Sequence, residues 1–176
     1  MQALLSELTP TQVRQKSAAI WERLSVLSAF AGAECVLVYV SNDHEVDTHG
    51  LIRQLLAMGR CVCVPAFVDG YVPAEIADFD ADLVAGKFGI LEPRTVRRVP
   101  AEKPDVWLVP GLAFDLKGYR LGRGQGYFDA LLRSARGRKI ALAHDFQVLT
   151  EVPAEPHDVG MDFIVTETRV VECKRN

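Results

Sequence analysis

CVLVYVSNDHEVDTHGLIRQLLAMGRCVCVP, Cys35 to Pro65, sets two short apolar runs on either side of a helical pattern. Each run, Cys35–Val40 and Cys61–Pro65, is rich in β-branched residues and lacks polar alternation, the pattern of a strand buried on both faces. Between them, Thr48 to Met58 carries apolar residues at helical spacing and stops at Gly59, a residue that readily takes the left-handed conformation with which helices end. Strand, helix, strand in this order predicts parallel pairing through a crossover.

The alternation extends outward. Thr9-Pro10-Thr11-Gln12 reads as a capping box opening a helix whose apolar face is Val13, Ala18, Ile20, Trp21, Leu24 and Leu27 and which ends near Ser28. Downstream, Val106–Pro110 repeats the buried-strand pattern, Tyr127–Ala135 reads as a helix, and Ile140–Ala143 and Phe163–Thr166 as short strands. Phe67–Pro104, with a turn at Asp69-Gly70, predicts a short hairpin and a surface excursion. The expected fold class is α/β, a single three-layer domain over residues 1–176 with a mainly parallel sheet covered by helices on both faces.

Composition narrows the function. With 176 residues, 49% of them hydrophobic and 24% charged, the chain suits one domain with a sizeable core. Its 20 Lys and Arg against 23 Asp and Glu, a net charge of −3, give no reason to expect a nucleic acid or an anionic membrane as partner. No basic segment followed by an apolar run opens the chain and no apolar stretch nears the ~18 residues of a spanning helix, so a cytoplasmic protein is expected. Cys35, Cys61, Cys63 and Cys173 are expected reduced; Cys61 and Cys63 share a strand face, which permits a metal pair, but no CxxC or His cluster completes a zinc site and core packing is the expectation.

Open α/β sheets bind ligands beyond the carboxyl ends of their strands, and three polar segments leave such ends: SNDHEVDT, the stretch beginning PAF, and PGLAFD through LGRGQGYFD. In the last, glycine-freed backbone N–H groups, a helix start near Tyr127, and Arg120 and Arg123 form a cradle for phosphate oxygens, beside which Asp129 can hold magnesium. The alternative is a structural turn, because the loop matches neither common nucleotide-binding glycine pattern. Asp129 can equally complement a helix dipole, Glu45 can be a solvated loop carboxylate, and Trp107, mid-strand, reads first as core. His44, His144 and His157 are not spaced as a metal site and are expected on the surface or in loops.

With its flanks, VPGLAFDLKGYRLGRGQGYFDALL, Val109 to Leu132, resembles the signature VPGxAFDxxGxRLGxGxGYYDxxL of the 5-formyltetrahydrofolate cyclo-ligase family. HEVDTHGLI (44–52), GKFGILEP (86–93), ALAHDFQ (141–147) and PAEPHD (153–158) resemble the family in order and spacing, from Leu8 to Glu167. The resemblance implies a three-layer α/β enzyme that uses ATP and magnesium to close 5-formyltetrahydrofolate into 5,10-methenyltetrahydrofolate. It implies that Arg120, Leu121, Gly122, Arg123, Gly124, Gln125, Gly126, Tyr127 and Phe128 line ATP, with Arg123 and Tyr127 at the transferring phosphoryl group. Asp129 and Asp158 would hold the metal, and Val40, Glu45 and Trp107 would meet the reduced folate. Family members usually carry a KxxLRxxxxxxR segment ahead of the stretch matching Leu5–Leu8, and its lysine reaches the ATP phosphates; without it, weaker ATP binding is expected. Ala66, Phe128 and Ala130 also depart from the usual pattern, so a non-catalytic nucleotide- or folate-binding relative is the alternative function.

Overall fold

The structure, a computed structural model, describes residues 1–86, 89–124, 126–155 and 158–174. After a short helix α1 (Gln2–Ser6), helix α2 (Pro10–Val26) opens on the expected capping box. Thr9 Oγ1 accepts from Gln12 N at 3.2 Å, and Gln12 Oε1 accepts from Thr9 N at 2.9 Å. The helix stops at Val26 because Leu27 turns extended and starts a separate turn, α3 (Ser28–Ala31).

β1 (Cys35–Val38), α4 (His49–Ala57) and β2 (Cys61–Phe67) form the crossover unit, with β1 and β2 parallel from Cys35↔Cys61 to Leu37↔Cys63 and Gly59 at φ 75° ending the helix. The predicted hairpin forms at Asp69-Gly70 and belongs to the main sheet. β3 (Tyr71–Ile76) pairs antiparallel with β2 along its length, forming an edge strand. Next come α5 (Phe79–Asp82) and a two-stranded ribbon, β4 (Leu83–Ala85) with β5 (Leu91–Pro93).

β6 (Val106–Val109) is followed by an element pair that short-range patterning does not reveal: β7 (Ala113–Asp115) and β8 (Arg120–Leu121). Helix α6 (Tyr127–Leu132) is shorter than the predicted Tyr127–Ala135. Then come β9 (Arg138–Leu142), β10 (Val148–Leu149), which joins β7 and β8 in a small sheet, β11 (Phe163–Val165) and β12 (Val170–Glu172). The main sheet runs β12-β11-β9-β6-β1-β2-β3, parallel except for the two edge strands.

Strand residues divide between two cores. Val36, Val38, Val62, Leu108 and Ile140 pack with Ile20 and Leu24 of α2 and Ile52 and Leu55 of α4. Leu37, Cys63, Trp107, Val109 and Ala141 pack with Leu131 and Leu132 of α6 and with Phe114 of β7. Burial on both faces is why these strands show no polar alternation. The chain leaves β1 through α4 on one face to reach β2, and leaves β6 through α6 on the other face to reach β9. β1 and β6 are adjacent, so the strand order reverses between them and a crevice opens beyond their carboxyl ends.

Candidate active site

One wall of the crevice is the segment after β1, held by hydrogen bonds from its own residues. Thr48, fully buried, donates from Oγ1 to Tyr39 O at 2.6 Å and accepts from Ser41 N at 3.1 Å, while Ser41 Oγ accepts from Thr48 N at 3.0 Å. Tyr39 donates to Val46 O, and Ser17 and Trp21 of α2 bind the backbone of Asp47. This frame carries Glu45 inward with its side chain 17% exposed, one carboxylate oxygen accepting from Asn42 N at 3.1 Å. Burial pushes its carboxyl above the ordinary range, and the Asn42 amide and the Arg123 guanidinium pull it partly back.

The opposite wall is the glycine-rich loop after β6. Asp115, almost wholly buried, accepts from Lys117 N at 2.9 Å, Tyr119 N at 3.0 Å and Val152 N at 3.3 Å, closing the β7–β8 turn. Gly118 makes that turn at φ 89°, and Gln147 anchors the loop's start by donating to Gly111 O and Leu112 O. Arg120 is locked beneath the loop with its side chain 5% exposed, donating to Pro110 O at 3.3 Å and paired with Asp129 in the first turn of α6. Its Nε is buried and has no partner. Gly124 and Gly126 take positive φ of 84° and 65°, and Gly126 caps α6.

An ion pair joins the two walls. Arg123, its side chain 51% exposed, donates from Nη2 to Glu45 Oε1 at 3.3 Å. The structure thereby joins two groups 78 residues apart in sequence. Leu121 and Gly122 continue the same loop, and the Phe128 ring lies 5.8 Å from the Arg120 guanidinium carbon. Val40 and Trp107 lie in the two cores, 8% and 0% exposed. Asp158 accepts from Glu155 N at 2.8 Å in the segment before β11, and neither it nor Asp129 belongs to a group of three clustered metal-ligating side chains among the described residues. Gln125, Lys87 with Phe88, and Pro156 with His157 lie outside the described residues, as does the side chain of Tyr127.

His144 lies in the loop after β9, one of the two places expected for it, but not at the surface. It is fully buried at the carboxyl end of β9, its ring 5.7 Å from Phe146 and both ring nitrogens without a partner. Nearby, Lys16 of α2 pairs with Glu167, which also accepts from Asp145 N at 2.8 Å. These residues come from three distant segments, and no spacing within the sequence unites them.

A model of the 5-formyltetrahydrofolate cyclo-ligase family matches residues 1–167. The chain belongs to that family. The 5-formyltetrahydrofolate cyclo-ligase of Mycolicibacterium smegmatis is 37% identical over 150 residues, covering 80% of this chain and 77% of that protein. The Escherichia coli cyclo-ligase is 33% identical over 173 residues, covering 94% and 95%. The solved 5,10-methenyltetrahydrofolate synthetase of Aquifex aeolicus superposes with a TM-score of 0.87 at 32% identity, over 99% of this chain and 91% of its own. The Mycoplasma pneumoniae synthetase, at 19% identity and a TM-score of 0.73 over 94% and 93%, shares the fold. No helix among the described residues is long and apolar enough to cross a membrane.

Proposed function

We propose that this crevice belongs to a cytoplasmic cyclo-ligase that closes 5-formyltetrahydrofolate into 5,10-methenyltetrahydrofolate at the expense of ATP, with magnesium on the phosphates. The observation that carries the reading is the Arg123–Glu45 pair, which brings a cation on a glycine-rich loop and a largely desolvated carboxylate together at the reversal of strand order. ATP supplies the phosphoryl group that converts the formyl oxygen, a poor leaving group, into phosphate as N10 closes on the formyl carbon.

The chain's contribution is positioning and charge neutralisation. Arg123, half exposed, is the cation able to swing from Glu45 onto the γ-phosphoryl oxygens. Arg120, buried and held by Pro110 and Asp129, acts from below: it fixes the loop whose glycine N–H groups face the phosphates. Glu45, once released, accepts from the amino and ring N–H donors of the pterin, for which an ionised carboxylate is suited. Asp129, one oxygen of which engages Arg120, and Asp158 are the carboxylates that would hold magnesium, which would neutralise charge on the phosphates. That donor set suits magnesium, which usually takes one or two carboxylates plus phosphates.

The test is formation of the methenyl chromophore by purified protein given 5-formyltetrahydrofolate. Product that appears only with ATP and magnesium together supports the reading; no product at saturating concentrations of all three would overturn it.

A further inference from the structure

At the opposite end of the sheet from the crevice, three sulfurs converge. Cys35 begins β1 and Cys61 begins β2, directly in register, and Cys63 follows on the same strand face. The three Sγ atoms lie within 4.8 Å of one another: Cys35 to Cys61 is 2.8 Å and Cys35 to Cys63 is 3.9 Å. The first separation is well inside the ~3.5–4.0 Å at which non-bonded carbons rest, and sulfur is larger. It leaves no room for an ion between the two atoms. Neighbouring strands run ~4.7–4.9 Å apart, inside the Cα separation that a disulfide spans.

We propose that Cys35 and Cys61 form a reversible disulfide that staples β1 to β2, a modification site separate from the catalytic crevice. Access selects the order of events. Cys61 is partly exposed, and the Lys103 ammonium nearby favours its thiolate, whereas Cys35 and Cys63 are buried. Cys61 therefore meets the oxidant, taken here as hydrogen peroxide. Its thiolate attacks one peroxide oxygen, giving a Cys61 sulfenic acid and hydroxide, which takes up a proton to leave as water. The Cys35 sulfur then attacks the Cys61 sulfur, and the sulfenic hydroxyl leaves with the Cys35 proton as a second water. Two thiols are oxidised and one peroxide is reduced. Burial holds the Cys61 thiol up at about 11 and that of Cys35 higher through its contact with Cys63, so both are protonated at neutral pH and the reaction proceeds through a small thiolate fraction. Its rate must rise with pH.

The test uses the whole chain, folded, treated with hydrogen peroxide at pH 7 and pH 9, then unfolded and assayed with a thiol reagent. Of the four cysteines, two should cease to react, faster at pH 9, and recover with dithiothreitol. Peptide mapping should find one cross-link, Cys35 to Cys61, within a single chain. Cys61→Ser and Cys35→Ser should each abolish the cross-link, while Cys173→Ser should retain it. All four thiols surviving, a link through Cys63 or Cys173, or oxidation that stops at a Cys61 sulfinic acid would each overturn the proposal. Mapping the unsubstituted protein keeps the test valid if a serine variant folds poorly.

Discussion

Arg123 and Glu45 neutralise one another across the crevice, so each group proposed to meet a different substrate is occupied by the other until ligands arrive. Glu45→Gln keeps the shape but turns one acceptor into a donor facing pterin donors. Folate affinity should then fall about 10–100-fold, the worth of a charged hydrogen bond of about 1.5–3 kcal/mol, while ATP affinity holds or improves as Arg123 is released. Calorimetric titration with each ligand checks this, and equal folate affinity in both proteins would return Glu45 to a loop role. Asp129 is legible in the sequence as a carboxylate at a helix start, but its partner is not: the chain folds back through β8 to put buried Arg120 beneath it. Sequence alone therefore leads one to expect Asp129→Asn to spare the fold. The structure predicts a cost of about 1–3 kcal/mol in a melting or denaturant experiment, because a buried guanidinium loses its anion, together with weaker magnesium-dependent ATP binding. An unchanged midpoint would show that the pair carries no structural weight.

At the scale of elements, the loop that carries Arg120 and Arg123 depends on a turn that only glycine makes without strain. Gly118 stands at φ 89°, accepts at its carbonyl oxygen from Met161 N at 2.7 Å, and as alanine would place a Cβ 2.5 Å from Met161 O. Gly118→Ala should cost about 1–3 kcal/mol in backbone strain, more with the clash, and weaken ATP binding by shifting β8. Denaturant midpoints read with nucleotide titration test it; a variant matching the unsubstituted protein in both would show that the turn does not set the loop. Elements whose pattern is local were legible in the sequence: the α2 capping box, α4 ending at Gly59, and the buried strands. β7, β8, β10 and β12 were not, since strands of two or three residues carry too little periodicity and pair only with chain distant or folded back on itself.

For the molecule as a whole, burial of His144 makes acid the weak flank. Burial holds its imidazole down at about 4 instead of the ordinary 6.5, with Glu167 opposing and Lys16 reinforcing the shift. Because the native pKa is depressed, the unfolded chain takes up a proton below pH 6.5 that the native state refuses until about pH 4. Full stability is present above pH 6.5 and about 3 kcal/mol is lost as pH falls through that window. His144→Phe keeps an aromatic ring against Phe146 and removes the titration, so its stability measured by urea unfolding should vary less between pH 6.5 and 4; an identical pH slope would refute the assignment. The sequence by itself determined the parallel α/β plan and the glycine-rich loop, because strand burial, helix caps and turn residues are written in short-range patterns of side-chain chemistry. It also carried the family, through motifs spread from His44 to Asp158. Only the tertiary structure decided which charges face each other. Arg123 on Glu45 and Lys16 on Glu167 are set by sheet order and register, which bring distant segments within a few ångströms, and Arg120 meets Asp129 because the chain folds back through β8. Coulomb attraction and desolvation act on distance through space, and distance along the chain does not record it.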